Sequence, residues 1–308
     1  MAQSPKFYLG FDQILDNREY FTQYATHQTF FGARINPGVS FAFDSVHAVK
    51  LGVNYMYEFG GEFLGVKPQL DLYYSYATEK LQMKFGSFPR REVMDYPLFS
   101  LSDSLHYYRP NVEGASIRYT GKWGSINGWV DWMARENEET REAIHAGFDA
   151  TIKLSIAYLS AYTTRYHLAR TTSPTDMNQI RDDGSIMILA GADLSDRVFI
   201  DKLDFASGVA SSYVKQRPAP DFQWSHAWYT KIDLMYKIFG VKGSYYLGDS
   251  SPLMLGDQLY SAGNYGRIDF FVDPFKNPRI SSKIGWNLHL IPGDGLYHSQ
   301  QILISVML

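Results

Sequence analysis

Along most of this 308-residue chain, apolar and polar side chains alternate with a period of two instead of falling into blocks. Phe31, Ala33, Ile35, Val39, Phe41 and Phe43 share one face of an extended segment, and Arg34, Asn36, Ser40 and Asp44 share the other. After the polar turn Asp44-Ser45-Val46-His47 the pattern resumes, with Val49, Leu51, Val53, Tyr55, Tyr57 and Phe59 opposing Lys50, Asn54 and Glu58. It recurs in Leu70, Leu72, Tyr74 and Tyr76 against Asp71 and Ser75, and in Ile232, Leu234, Tyr236 and Ile238 against Lys231, Asp233 and Lys237. The chain ends the same way, on Ile302, Ile304, Val306 and Leu308. Such alternation predicts strands apolar on one side and wet on the other. A transmembrane β-barrel needs this arrangement, with lipid on the apolar side and a lumen on the polar side.

The connections support closure into a barrel. Short ones are expected near 44–47, 77–80, 121–124, 152–155, 194–198, 239–241 and 274–279. Longer ones are expected near 15–28, 60–66, 88–111, 135–142, 168–184, 215–222, 249–266 and 291–296. Seven short and eight long connections give about sixteen antiparallel strands and put both termini on the short-turn side. The segments 154–168 and 184–213 lack clean alternation and are placed as strands by spacing. We therefore expect one all-β domain over residues 1–308, with short periplasmic turns and long outer loops.

Composition agrees. The mean hydropathy of −0.25 and the absence of any long apolar run exclude a membrane helix, which needs roughly 18 or more consecutive apolar residues, but not barrel strands of about 9–11. Tyr55, Tyr57, Tyr74, Tyr76, Trp132, Trp228, Tyr229 and Trp286 are candidates for interfacial girdles. A net charge of −3 and no basic run give no support for nucleic-acid binding. With no cysteine there is no disulfide framework or thiolate zinc site. The N-terminus lacks a basic start followed by an apolar core, so export implies that Met1 stands in for a removed signal peptide, with Ala2-Gln3 its remnant.

With these residues in view the chain resembles the porin-like outer-membrane β-barrels of Gram-negative bacteria along essentially its full length. The segments Leu15-Asp16-Asn17-Arg18-Glu19-Tyr20 and Tyr107-Tyr108-Arg109-Pro110-Asn111-Val112-Glu113-Gly114 look like signatures of a porin-like subgroup. The resemblance implies outer-membrane residence in contact with lipid and lipopolysaccharide, periplasmic termini, often a homotrimer, and a third outer loop folded into the lumen. Such barrels commonly end in an aromatic residue, where this chain has Leu308.

The third long connection, 88–111, is long enough to form such a constriction, and Tyr96, Pro97, Leu98, Phe99, Leu101 and Leu105 are too apolar for a loop in open water. Folded inward, its Glu92, Asp95 and Asp103 would face Arg34, Lys50, Lys84 and Arg118 on the wall, and opposed charges across a narrow pore select solutes by size and sign. The same charges also suit an ion-pair network that stiffens the wall. The expected function is passive diffusion of small hydrophilic solutes. The alternative is a loop-plugged barrel that anchors surface lipoproteins or an envelope complex.

Catalysis is not expected: the histidines are scattered, and neither a Gly-x-Ser-x-Gly elbow nor a His-Glu-x-x-His motif is present. His145 and Asp149 sit on one strand face about 13 Å apart, a lumen-lining spacing. A barrel hydrolase would require a Ser/His/Asp or Asp/His cluster assembled in space at the rim. Asp257, Asn264 and Asp269 carry oxygen ligands but no EF-hand spacing, and Pro292-Gly293-Asp294-Gly295 reads as a reversing turn. No metal site or cofactor is expected.

Overall fold

The computed structural model describes residues 4–172, 179–275, 277 and 279–308. Met1–Gln3, part of the expected connection 168–184 and part of 274–279 lie outside the described residues. Sixteen strands form one closed antiparallel barrel. They are β1 Lys6–Glu19, β2 Gln28–Ala42, β3 His47–Glu58, β4 Gln69–Ala77, β5 Leu81–Pro89, β6 Asn111–Gly121, β7 Gly124–Ala134, β8 Ala143–Leu154, β9 Ala157–Leu168 and β10 Arg181–Asp193. The ring continues through β11 Lys202–Gln216, β12 Gln223–Tyr236, β13 Phe239–Gly248, β14 Asn264–Val272, β15 Ile280–Ile291 and β16 Gly295–Met307. β16 returns to pair with β1, from Gly10 opposite Met307 to Glu19 opposite His298. Closure leaves no free sheet edge, so the backbone polar groups of the wall are bonded strand to strand, as hydrocarbon demands.

The barrel is inside out relative to a soluble protein. Outward-facing Leu51, Val130, Ile188 and Ile268 are 44–50% exposed, whereas the inward neighbours Asp71, Asp131, Asn127 and Ser185 are buried. Turns are tight at one end. Between β6 and β7 only Lys122-Trp123 intervene, and Gly124 follows at φ +142°, where a Cβ would come within 1.8 Å of the Thr151 carbonyl oxygen.

Several boundaries differ from expectation: β10, β14 and β16 begin inside the connections expected at 168–184, 249–266 and 291–296, the last of which is a turn of three residues. β13 starts at Phe239, where a turn was expected, because the reversal is made by Lys237-Ile238 with Lys237 at φ +53°. β1 runs on through Glu19, although 15–28 reads as a connection. Alternation fails there because inward Asp16 and Arg18 and outward Asn17 and Glu19 are all polar. The indistinct segment 184–213 has the opposite cause: inward Met187, Leu189, Ala206 and Ala210 are as apolar as outward Ile186, Ile188, Phe205 and Val209.

Val130→Arg, on the lipid face, should lower the unfolding free energy in lipid vesicles by about 2–4 kcal/mol if Val130 lies near the bilayer midplane. Inward Lys231→Gln should change it by less than about 0.5 kcal/mol. Denaturant titration of the refolded barrels compares the two.

Candidate active site

The lumen is crossed by the segment between β5 and β6. It leaves the wall at Arg90, forms a short helix α1 (Asp103–Tyr108) capped by Ser102, and rejoins at Asn111. Arg90 is fully buried and donates to Asp131 at 2.6 Å and to the carbonyls of Arg109 and Asn111. Beyond it Tyr96 accepts from the Trp129 indole at 3.1 Å. Phe99 reaches the far wall, stacking on Tyr246 of β13 at 5.4 Å and meeting Tyr260 edge-on at 5.8 Å. Ser102 N–H donates to the Leu255 carbonyl and Asp257 N–H to that of Leu98, so this loop and the one after β13 brace each other.

The residues expected to line a pore are distributed as follows. Glu92 pairs with Lys84, and Arg34 pairs with Asp12 at 3.5 Å while donating to the Tyr107 carbonyl. Arg118 reaches the Val93 carbonyl at 3.4 Å, and Lys50 lies over the Tyr73 ring. Asp95 and Asp103 line a recess of about 370 Å³ with Lys231, Asp233, Lys242 and Arg267, on the short-turn side of the loop. A second recess, of about 720 Å³, opens on the other side beside Arg18, Tyr20, Ser104 and Asp257. In helix α1, burial and then the nearby Arg91, Arg90 and Arg34, outweighing Asp103, push the His106 imidazole down to about 4. The oxygens of Asp257, Asn264 and Asp269 are engaged within the protein: Arg267 lies 3.8 Å from Asp257 and 2.6 Å from Asp269, and Asn264 accepts from Tyr245. Among the described residues no three His, Asp or Glu groups converge as metal ligands.

Among the described residues histidines meet acids or hydroxyls in five places. His47 contacts the Tyr74 hydroxyl at 2.6 Å and lies 3.9 Å from Asp44, whose other carboxylate oxygen accepts the Val46 and His47 backbone N–H groups and so serves the tight turn. His289 contacts Ser299 at 3.1 Å, but Tyr20 and Tyr265 seal it inside the wall and nothing can approach. His167 contacts Asp182 at 2.8 Å, but Arg165 shares that carboxylate. Outward Ser211 and His226 lie 2.9 Å apart, while Asp249 accepts the His226 backbone N–H and leaves the ring without a carboxylate.

The fifth place crosses the β16–β1 seam on the lipid face. Glu19 stands opposite His298, Asn17 stands opposite Gln300, and Thr29 follows on β2. Glu19 Oε2 is 3.5 Å from His298 Nε2, and Gln300 Nε2 donates to Nδ1 at 2.7 Å. Asn17 Nδ2 donates to Glu19 at 3.0 Å and Gln300 at 2.7 Å, and Thr29 donates to Asn17 Oδ1 at 2.6 Å. The cluster is set in an apolar wall: exposed Leu290 and Leu296 lie on its rim side and Trp286 beside it. It joins a carboxylate-backed imidazole to two side-chain amides, which is the material of a general base and an oxyanion site. Sequence reading passed over it because its members lie at opposite ends of the chain. The trace it left was the loss of alternation at Asn17 and Glu19.

Two outcomes follow from the lumen. Phe99→Ala should reduce stability by about 3–5 kcal/mol, read by denaturant titration, because its ring is buried between two tyrosines. Lowering the pH from about 6.5 towards 4 should favour release of the third loop, since a freed His106 takes up a proton that the docked one refuses. Protease cleavage within 90–110 should therefore rise across that window, and His106→Asn should flatten the rise.

Among solved structures the chain is similar to a loop-deletion form of OmpT, an outer membrane protein of Vibrio cholerae, at 10% identity over 99% of both chains with a TM-score of 0.62. It is also similar to an anion-selective porin from Comamonas acidovorans, at 8% identity over 100% of both chains and TM-score 0.58, and to Salmonella typhi OmpF, at 10% over 99% and 97% and TM-score 0.57. These likenesses carry the fold: a porin-like bacterial outer-membrane barrel. No curated protein matches the sequence. A family profile, described as lipid A 3'-O-deacylase-type, matches residues 2–280. That match overturns the expectation that the barrel is not an enzyme, an expectation drawn from the lack of a local motif in a fold that brings reactive groups together across strands. By that match the chain belongs to the lipid A 3'-O-deacylase-type family.

Proposed function

We propose that this protein is an ester hydrolase of the outer membrane that removes a fatty-acyl chain from an acylated glycolipid of the lipid A class, working from the outer face of its wall. The observation that carries the reading is the hydrogen-bonded cluster of Glu19, Asn17, Gln300 and His298 facing lipid. Polar and ionisable groups on a membrane-facing surface are unfavourable and are retained where they work. The family name points to the same bond.

Water held between Glu19 and His298 gives up a proton to that pair as its oxygen attacks the ester carbonyl carbon. The negative charge that develops on the carbonyl oxygen is met by the Gln300 amide N–H that its bond to His298 leaves free, while Asn17 holds the Gln300 amide in place. Collapse breaks the acyl carbon–oxygen bond, and the proton returns to the sugar oxygen. The products are a free fatty acid and a sugar hydroxyl. The long loops face the outside and the termini the periplasm, so that the cluster lies in the leaflet that holds lipopolysaccharide.

A second reading, passage of small hydrophilic solutes, is favoured by the recess in which Asp95, Asp103 and Asp233 face Lys231 and Lys242. The loops that cross the lumen oppose a wide pore. Planar-bilayer conductance tests this reading separately, and Glu92→Ala with Asp95→Ala should shift ion selectivity if that path conducts.

The hydrolase reading is tested by refolding the barrel into vesicles containing hexa-acylated lipid A and following acyl loss by mass spectrometry. His298→Gln and Glu19→Gln should each lower the rate by about 10²–10⁴-fold, the range of general acid–base catalysis. Equal rates in wild type and both variants, or no acyl loss from a folded wild-type barrel, would reject it.

A further inference from the structure

The lipid-facing wall beside the cluster carries a groove of about 440 Å³. The register explains its course. His298 stands opposite Leu288, Leu288 opposite Ile268, Ile268 opposite Gly243, Gly243 opposite Ile232, and Ile232 opposite Phe205. These form one continuous row across β16, β15, β14, β13, β12 and β11. Strands lie about 4.8 Å apart, so the row spans roughly 24 Å.

The row descends as it goes. His298 lies close to the turn joining β15 and β16, on the long-loop side, whereas Phe205 lies near the start of β11, at the short-turn end. Two glycines make the depression. A Cβ at Gly243 would come within 3.0 Å of Ile232 Cγ2, and one at Gly266 within 3.1 Å of the Tyr245 ring. Exposed Leu290 and Leu296 wall the groove on its rim side, next to His298.

Resting on the hydrolase reading, we propose that this groove seats the fatty-acyl chain of the scissile ester. The chain enters beside His298 at headgroup level and runs down the row into the hydrocarbon, held by Leu288, Ile268 and Ile232 over the space left by Gly243. Its length selects for long acyl chains, and its start places the ester carbonyl against the cluster. The occupant is the substrate's own chain and not general bilayer lipid, because the path is continuous with the reactive groups and falls away from them in the direction an acyl chain takes.

Two measurements test this. The first compares hydrolysis of tetradecanoyl and butyryl esters of one glucosamine headgroup. Gly243→Leu, which fills the groove, should lower the ratio of long-chain to short-chain turnover at least about 10-fold. Ile268→Ala, which widens it, should move the preference to longer chains. Heat-modifiable migration identifies variants that have folded, and unchanged ratios in both folded variants would overturn the proposal.

The second is independent of catalysis. The barrel is placed in bilayer discs doped with a glucosamine lipid bearing one diazirine-tagged tetradecanoyl chain, and the photoadducts are mapped. Adducts concentrated on Ile232, Ile268 and Leu288, and lost in Gly243→Leu, support the groove. Even labelling around the wall, equal labelling by a diazirine-tagged phospholipid, or crosslinks from these residues to a second barrel would each overturn it. A folded wild type silent on both esters would sink the hydrolase reading, while the labelling pattern would still decide the groove.

Discussion

The structure depends on one requirement: in hydrocarbon every backbone N–H and C=O of the wall must find a partner within the protein. A row of strands meets it only by closing, and here the closing seam is the pairing of β1 with β16. The seam fixes the register of both terminal strands, and so decides which of their residues face lipid and which stand opposite one another. Glu19 and His298 share the lipid face only because the ring closes in this register. The act that satisfies the backbone thus also assembles the candidate site.

Inside the ring a different solvent problem is solved. The third loop does not hang in water. Buried Arg90 anchors it through Asp131 and two carbonyls, and Phe99 fills an aromatic slot on the far wall. Removing one member of such a buried pair leaves an uncompensated charge, which makes the anchor cooperative with its surroundings. The inward faces of β10 and β11 became apolar to receive the loop, and that is why they lack the alternation seen elsewhere. The porin-like wall therefore encloses a lumen crossed by packed loops, and the candidate site with access to lipid lies on its outside.

The site was only partly legible. Asn17 and Glu19 stand within a segment marked as a subgroup signature, but polar residues on both faces made it read as a loop. His298 carried no mark at all, since a histidine between Tyr297 and Ser299 near a chain end is unremarked until its strand neighbour is known. The charged residues of the third loop were legible as a group, yet their partners were not: Glu92 pairs with Lys84, whereas Arg34 reaches Asp12 and a loop carbonyl and Arg118 reaches a loop carbonyl. The expectation of a barrel without catalysis failed for a related reason. Local motifs record sites built on one turn or helix, and a barrel wall builds across strands.

The sequence by itself determined the class of the fold, the approximate strand number and the alternation of short and long connections, because a period of two and the turn residues are local properties set by the two solvents a barrel wall meets. It also marked the third loop as a packed one, through its apolar content. The tertiary structure alone decided the register of the seam, the far-wall partners of Phe99, and the row from His298 to Phe205. Each of these depends on contacts between residues distant in the chain, and no local preference encodes which strand will lie beside which residue until the ring has closed.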